Sequence, residues 1–167
     1  MPRSTLTPQD ITALRAVVIA SPDTAAMRAE GNDGGIRDWL NAPSATSAWR
    51  NTPAGAVFGA IDFAEMDNIT SAAKQWAIGT IMPAKGGIDA TTAAGRKAIT
   101  DLFANSSVPN TRAAVLVAAR ELATRAQETI GGSNASSASP NVVTALVRDY
   151  DGLVAEEEVV AMRAGGW

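Results

Sequence analysis

The stretch DFAEMDNITSAAKQWAIGTI, residues 62–81, carries the clearest secondary-structure signal in this 167-residue chain. Asp62 can cap a helix, and Glu65 follows three residues later in an Asp variant of the capping box. An apolar stripe then recurs at steps of three and four residues, which is the spacing of one helix face. Its members are Phe63, Met66, Ile69, Ala73 and Trp76. The stretch therefore predicts one long helix, with Trp76 as a core anchor.

Caps and breakers predict further helices on both sides of this stretch. Thr7-Pro8 is a helix start, because Thr can cap and Pro suits the first turn, and Ser21-Pro22 ends that helix. Asp89 and Asn110 are the predicted caps of the two long helices that follow, and Thr124 caps a short continuation of the second. The predicted helices run over residues 8–20, 23–30, 36–41, 62–81, 90–104, 110–122, 124–130 and 155–163.

The composition favours helices over a β-sandwich. Hydrophobic residues make up 46% of the chain, many of them alanines, and aromatic residues only 5%, whereas strands favour β-branched and aromatic side chains. Two stretches, 42–60 and 131–152, are predicted to be irregular or extended, and within the second Val142–Val147 is a short strand or an extended arm. The expected fold is mainly α: a single compact helical domain over residues 1–167, with a C-terminal tail at 164–167.

The chain contains no histidine and no cysteine. The commonest general base, the thiol nucleophile and the commonest metal ligands are therefore missing, and the acidic groups lie at helix ends where capping accounts for them. We predict no enzyme, no cofactor and no metal site. A net charge of −3 gives no general attraction to nucleic acid or anionic membranes, and without a signal peptide or a membrane span the expected compartment is the cytoplasm.

The four tryptophans are the main candidates for contact with a partner. Trp39 precedes a proline-containing loop, and its role as a core or an interface residue stays open. Trp49 lies beside Arg50 in an irregular stretch, and such pairs are typical of interface anchors. Trp167 follows a diglycine, and we expect it to dock on its own domain or, preferentially, in a partner's pocket. The predicted interface residues are Trp49, Arg50, Arg163 and Trp167.

Five segments between residues 40 and 163 carry a resemblance to a known family. They are Leu40-Asn41-Ala42-Pro43-Ser44 with Trp49-Arg50, Ala60-Ile61-Asp62-Phe63-Ala64-Glu65-Met66, Gly87-Ile88-Asp89-Ala90, Ala123-Thr124-Arg125-Ala126-Gln127-Glu128, and Asp151-Gly152-Leu153-Val154-Ala155-Glu156-Glu157-Glu158-Val159-Val160. Their order and spacing resemble the virion neck proteins of tailed bacteriophages, the head-to-tail connector or adaptor group.

The resemblance implies a mainly helical adaptor that forms a homo-oligomeric ring of twelve copies in the phage neck. The implied partners are neighbouring copies, the portal protein, and a tail-side neck or tail terminator protein. Passive contact with DNA in the lumen is expected, and contact with a membrane is not. The family supplies no catalytic residues, and a C-terminal segment that reaches the portal would suit Gly165-Gly166-Trp167. The expected location is the virion neck, after synthesis in the host cytoplasm.

Two other functions stay open at this point. The chain could be another virion part, namely a tail terminator or tail-completion protein, which would assemble in rings of six. It could also be a phage-encoded regulatory or binding protein that never enters the particle.

Overall fold

The structure is a computed structural model that describes residues 3–137 and 143–167. Within them the α-helices are α1 (Pro8–Ala20), α2 (Ala25–Glu30), α3 (Asp33–Asn41), α4 (Ala54–Gly59), α5 (Phe63–Met66), α6 (Ala72–Trp76), α7 (Met82–Ala84), α8 (Ala93–Leu102), α9 (Pro109–Ala118), α10 (Arg125–Ile130) and α11 (Glu156–Ala164). The strands are β1 (Pro43–Trp49), β2 (Asn51–Pro53), β3 (Gly87–Asp89), β4 (Arg120–Thr124), β5 (Gly132–Ser136) and β6 (Thr144–Arg148). A 3-10 turn covers Pro22–Thr24, and a π-helical turn covers Ala77–Ile81.

The prediction of a mainly α fold is wrong, because the chain has an α/β fold. The structure is 56% helical and 19% strand, with a four-stranded mixed sheet and a two-stranded sheet. The strands lie largely in the stretches predicted to be irregular or extended, 42–60 and 131–152. β1 is built mostly from Ser, Ala and Thr and β5 from Gly, Ser, Asn and Ala, so pairing with distant strands outweighs weak local strand preference.

The four-stranded sheet has the order β4-β1-β6-β5. β1 and β6 are parallel, with Ala48 opposite Leu146. Backbone bonds join the start of β1 to the end of β4 and the end of β1 to the start of β4, so those two strands are antiparallel. The bond from Ser137 N to Val143 O and the bond from Asp149 N to Gly131 O relate β5 and β6 in the same antiparallel way.

The two-stranded sheet pairs β2 with β3 antiparallel, with Thr52 opposite Ile88. Gly87 begins β3 at a φ of +131°, and a Cβ at this position would lie 2.0 Å from the Thr52 carbonyl oxygen. Only glycine fits this backbone and this close approach.

The chain divides into two compact units, whereas the sequence pattern predicts one domain over 1–167. Unit 1 comprises Met1–Thr46, Leu122–Ser133 and Arg148–Trp167. Its apolar core is formed by α1, α3, α10 and α11 together with Val154. The core residues are Leu14, Val18, Ile36, Leu40, Ala126, Val154, Val159 and Met162.

Unit 2 comprises Ser47–Glu121 and Asn134–Val147. Its core surrounds the fully buried side chains of Trp49, Ile99 and Phe103. Ile69, Ile78 and Met82 complete it from the segment predicted as the central helix.

The predicted long helix over 62–81 is wrong. α5 ends at Met66, and helical structure resumes only at Ala72 and continues through the π turn to Ala84. Glu65 does not close a capping box, because both of its carboxylate oxygens accept hydrogen bonds from the backbone at the start of α9. Because the helix is interrupted between Met66 and Ala72, the predicted apolar stripe does not form one continuous helix face.

The break reverses the expected position of Trp76. Its side chain is 60% exposed, while Ile78 and Met82, four residues apart on the resumed helix, are buried. The prediction of Trp76 as a core anchor is wrong, since the stripe that would have buried it assumed an uninterrupted period of 3.6 residues.

Candidate functional site

An apolar groove of about 580 Å³ lies on unit 2. One wall is the helical segment from Ala77 to Lys85, the other is α8, and β3 contributes Gly87, Ile88 and Asp89. The apolar lining residues are Ala77, Ile81, Met82, Ile88, Ala94, Ala98 and Leu102. The volume falls within the range of small-molecule and cofactor pockets, about 300–1,000 Å³.

Two local features of the backbone shape this groove. The Met82 backbone N–H donates to the Ala77 carbonyl five residues earlier, and this wide π turn changes which side chains face outward. On the other wall, Gly95 of α8 approaches β3 so closely that a Cβ would lie 1.8 Å from the Asp89 carbonyl oxygen. The small side chains of Ala94 and Ala98 then leave the space between the walls empty.

Large apolar side chains are exposed on the same unit. Phe63 is 73% exposed and Trp76 is 60% exposed, and Ile81 and Val117 are also accessible to solvent. Trp76 directly precedes the π turn that forms the groove wall. Ile81 lines the groove and Trp76 directly precedes the groove residue Ala77, and exposed apolar side chains beside an apolar groove are typical of sites of protein contact.

Trp49, a predicted interface residue, lies in the core of unit 2. The side chain is fully buried, its Nε1 donates to the Ala135 carbonyl oxygen at 2.8 Å, and the Arg96 guanidinium lies 6.0 Å from the ring centroid. Since its polar atom and its ring both have partners within the unit, Trp49 is a core residue in this structure and not an exposed interface anchor. Trp49, and not Trp76, is thus the tryptophan that lies in the core of unit 2.

Arg50 remains a partly exposed surface residue of unit 2. Its Nε donates to the Ala118 carbonyl oxygen at 2.9 Å, and its Nη1 lies 3.8 Å from a Glu121 carboxylate oxygen. These contacts hold the side chain but leave part of the guanidinium accessible to solvent.

Arg163 and Trp167 lie on unit 1. Arg163 Nη2 pairs with Asp33 Oδ2 at 2.9 Å while its side chain remains exposed. Trp167 is half-buried against the apolar core of unit 1, so in this structure it docks on its own unit, and the partner pocket stays a prediction. Trp39, whose role was open, packs against the same core with the Arg125 guanidinium 4.9 Å from its ring centroid.

Asp10 in unit 1 and Glu65 in unit 2 are buried carboxylates that act as structural acceptors. In unit 1 the Arg3 guanidinium, with further bonds from Thr7, lowers the pKa of Asp10 to about 2 despite the opposing effect of burial. In unit 2 burial raises the pKa of Glu65, but the backbone N–H groups of Thr111 and Asn110 outweigh it, so the pKa is lowered.

The acidic side chains of the described residues form no candidate metal centre. Across residues 3–137 and 143–167 no three His, Cys, Asp or Glu residues cluster in a way that could hold a metal ion. In the same part of the chain, the helices are too short or too polar to cross a membrane.

The exposed face of Trp76 was missed by the sequence analysis, although one signal was present. Two polar residues, Thr70 and Ser71, follow Ile69 in the apolar stripe, and Ser71 is the residue that precedes α6. Reading Ser71 as a second helix start would have predicted the break in the central helix. No protein-family model, curated protein or solved structure matches this chain.

Proposed function

We propose that this chain is a structural protein of the tailed-bacteriophage virion that forms a ring in the neck and joins the portal to the tail. The observation that carries the assembly role is the exposed Trp76 beside the open apolar groove of unit 2. The resemblance of five segments between residues 40 and 163 supports the neck as the place of assembly. The proposal needs no catalytic group and no cofactor.

A ring requires two different contact patches on each subunit, because its interfaces are heterologous. Unit 2 offers two distinct apolar features, since Phe63 does not line the groove. We assign the groove as the receiving patch and the protruding Phe63 as the inserting patch. Trp76, at the edge of the π turn, is covered when the two meet.

Burial of the exposed apolar side chains would contribute enough free energy to stabilise a contact between subunits. Removing a large apolar side chain from water contributes about 1.5–3 kcal/mol when burial is complete. In the isolated subunit Phe63 and Trp76 have more than half of their surface exposed. Burying either side chain in an interface would therefore yield more than half of this free energy. Tryptophan is also enriched among the residues that dominate interface energies.

The assembly role is tested by filling the groove. Ala94→Trp places an indole in the groove, whereas Ala93→Trp places it on the neighbouring position of α8, which is exposed but does not line the groove. Sedimentation velocity of the purified proteins should show rings for the wild type and for Ala93→Trp, and monomers for Ala94→Trp. Equal behaviour of the two variants would contradict the groove as the contact.

The neck assignment is tested by counting subunits and by locating the protein. Native mass spectrometry should give twelve copies per ring, and mass spectrometry of purified virions should detect the chain. Rings of six would indicate a tail terminator or tail-completion protein instead. Absence from the virion would overturn the structural role and favour a regulatory or binding protein.

The partners of the ring follow from its place in the neck. We assign the portal protein to one face, a tail-side neck or tail terminator protein to the other, and passive contact with DNA to the lumen. Particles assembled without this chain should retain filled heads and lack tails. Particles that keep their tails, together with a protein that stays monomeric in the presence of portal, would contradict the proposal.

A further inference from the structure

The segment Gly165–Trp167 folds back onto unit 1, and we call it the tryptophan strap. Its backbone is held by Arg15 of α1, whose Nε donates to the Gly166 carbonyl oxygen at 2.7 Å and whose Nη2 donates to the carbonyl oxygens of Gly165 and Gly166. Its side chain, Trp167, packs against the apolar core of unit 1. The strap is therefore closed by one arginine and one indole.

The glycines of the strap are needed for this closure. Gly166 has a φ of +84°, in the region that favours glycine. A Cβ on Gly165 would lie 3.2 Å from the Arg15 guanidinium, so a larger residue would push the arginine away. The backbone can consequently turn at this point and change direction again at little conformational cost.

The closed strap leaves one polar group without a partner. Nε1 of Trp167 is buried and makes no hydrogen bond. A buried donor without an acceptor costs free energy, because in water the same group would be bonded. The indole of Trp39, which packs against the same core, also has a buried Nε1 without a hydrogen bond, whereas Nε1 of the fully buried Trp49 is bonded to Ala135.

The hydrogen bonds from Arg15 stabilise the closed strap only weakly, because they are exposed to solvent. Water competes for both the guanidinium and the glycine carbonyls at an exposed site, so the net gain from each bond is small. The closed strap is thus stabilised by solvent-exposed hydrogen bonds and destabilised by the buried Trp167 N–H, which has no acceptor.

We infer that the tryptophan strap is a releasable latch that exchanges Trp167 between unit 1 and an apolar pocket of a protein partner. The partner's pocket offers a carbonyl or carboxylate oxygen that accepts the indole N–H, which unit 1 does not. Opening occurs in the isolated subunit and does not depend on the ring. The hydrogen bonds from Arg15 set the fraction of molecules in which the strap is open.

The latch is tested by fluorine NMR of the full chain containing 5-fluorotryptophan. The four resonances are assigned with single Trp→Phe variants. The Trp167 resonance should be exchange-broadened and sensitive to replacement of water by D₂O, while the Trp49 resonance should be sharp and insensitive. Arg15→Gln should raise the open fraction about tenfold, the factor expected for losing a few exposed hydrogen bonds.

Arg37→Gln is the matched control. Arg37 is a partly exposed arginine of unit 1 that pairs with Asp38 and Glu156, neither of which belongs to the strap. It should leave the Trp167 resonance unchanged. A sharp and protected Trp167 resonance in both the wild type and Arg15→Gln, or an equal effect of the two variants, would overturn the latch.

The role of the orphaned N–H has a separate test. Replacing Trp167 with benzothienylalanine keeps the shape of the ring and removes the N–H. The strap should then close more firmly, and the Gly166 amide, which donates to the Arg163 carbonyl at 2.7 Å, should exchange with solvent more slowly. Unchanged or faster exchange would overturn the assignment of the orphaned donor as the opening force. None of these results changes if the ring fails to form, so the two proposals fail separately.

Discussion

The helical segment 72–84 of unit 2 and the strap 165–167 of unit 1 treat their tryptophans in opposite ways. In the first, a π turn follows Trp76 and the ring stays in solvent. In the second, a diglycine turn and the guanidinium of Arg15 bring Trp167 back onto its own unit. The difference shows that local backbone geometry, more than the apolar character of a residue, decides whether an aromatic ring is covered.

The two units also differ in how far their aromatic side chains are buried. Unit 1 covers Trp39 and Trp167 with its own residues. Unit 2 buries Trp49 completely but leaves Phe63 and Trp76 exposed. Both units expose other large apolar side chains, among them Leu122 and Leu153 of unit 1, so the difference is that the exposed tryptophan, Trp76, belongs to unit 2.

The largest expected effect separates the buried from the exposed tryptophan of unit 2. Trp49→Ala removes a fully buried ring and should lower the free energy of unfolding by about 3–5 kcal/mol. Trp76→Ala removes an exposed ring and should change it by less than about 0.5 kcal/mol in the monomer. Urea denaturation followed by circular dichroism measures both. Comparable losses would mean that Trp76 is buried after all.

A smaller effect concerns Asp10, a buried carboxylate of unit 1. The Arg3 guanidinium lowers the native pKa of Asp10 to about 2 from the ordinary value of 3.8. Its contribution is thus fully present above pH 4 and is lost as the pH falls towards 2. Asp10→Asn should cost about 2 kcal/mol at pH 7 and progressively less below pH 4.

The exposed Asp38 is the control for this pH dependence. Asp38→Asn removes a surface ion pair with Arg37 and should have little effect on the denaturation midpoint at any pH. An Asp10→Asn variant whose loss of stability is the same at pH 7 and at pH 2 would show that the carboxylate charge is not what stabilises unit 1.

The smallest expected effect concerns the buried carboxylate of unit 2. Glu65 accepts the backbone N–H groups of Asn110 and Thr111 at 3.0 and 2.8 Å and so caps α9, whose own N-cap position is Val108. Glu65→Gln keeps the size of the side chain but replaces one acceptor with a donor. The melting temperature should fall at pH 7, and the difference from wild type should shrink as the pH falls through the lowered native pKa of Glu65.

Asp67→Asn, on the same segment but exposed, is the control for Glu65 and should melt with the wild type. If both variants melt alike, Glu65 does not cap α9, and the explanation of the broken central helix fails with it.

Helix ends with local caps could be predicted from the sequence. Thr7 caps α1 in a capping box with Asp10, and Ser21 ends it. Thr124 caps α10 in a box with Gln127. These predictions are confirmed because a cap involves residues two or three apart, which the sequence places together without help from the fold. The predictions of Asp89 and Asn110 as caps are wrong, because Thr92 is the N-cap of α8 and Asn110 lies within α9.

The strands and the tryptophan positions could not be predicted, because long-range contacts determine them. β1 has little strand preference of its own and depends on β6, about a hundred residues away. Glu65 bonds to α9 across 45 residues. Within the predicted strand or arm Val142–Val147, β6 begins at Thr144, and Val142 lies outside the described residues.

The four predicted interface residues occupy different environments in the structure. Of the four predicted interface residues, Arg50 and Arg163 remain partly exposed, Trp49 is in the core, and Trp167 is held by Arg15. Partner contact was expected at tryptophans, and the exposed one is Trp76.

The central claim is that the exposed face around Trp76 is covered by a neighbouring copy. The most direct test is the D₂O-induced shift of the Trp76 fluorine resonance, followed as the concentration of the full chain is raised through the range in which rings form. The shift should be large in the monomer and should disappear in the ring. A Trp76 resonance that stays fully sensitive to D₂O in the assembled protein would contradict the claim.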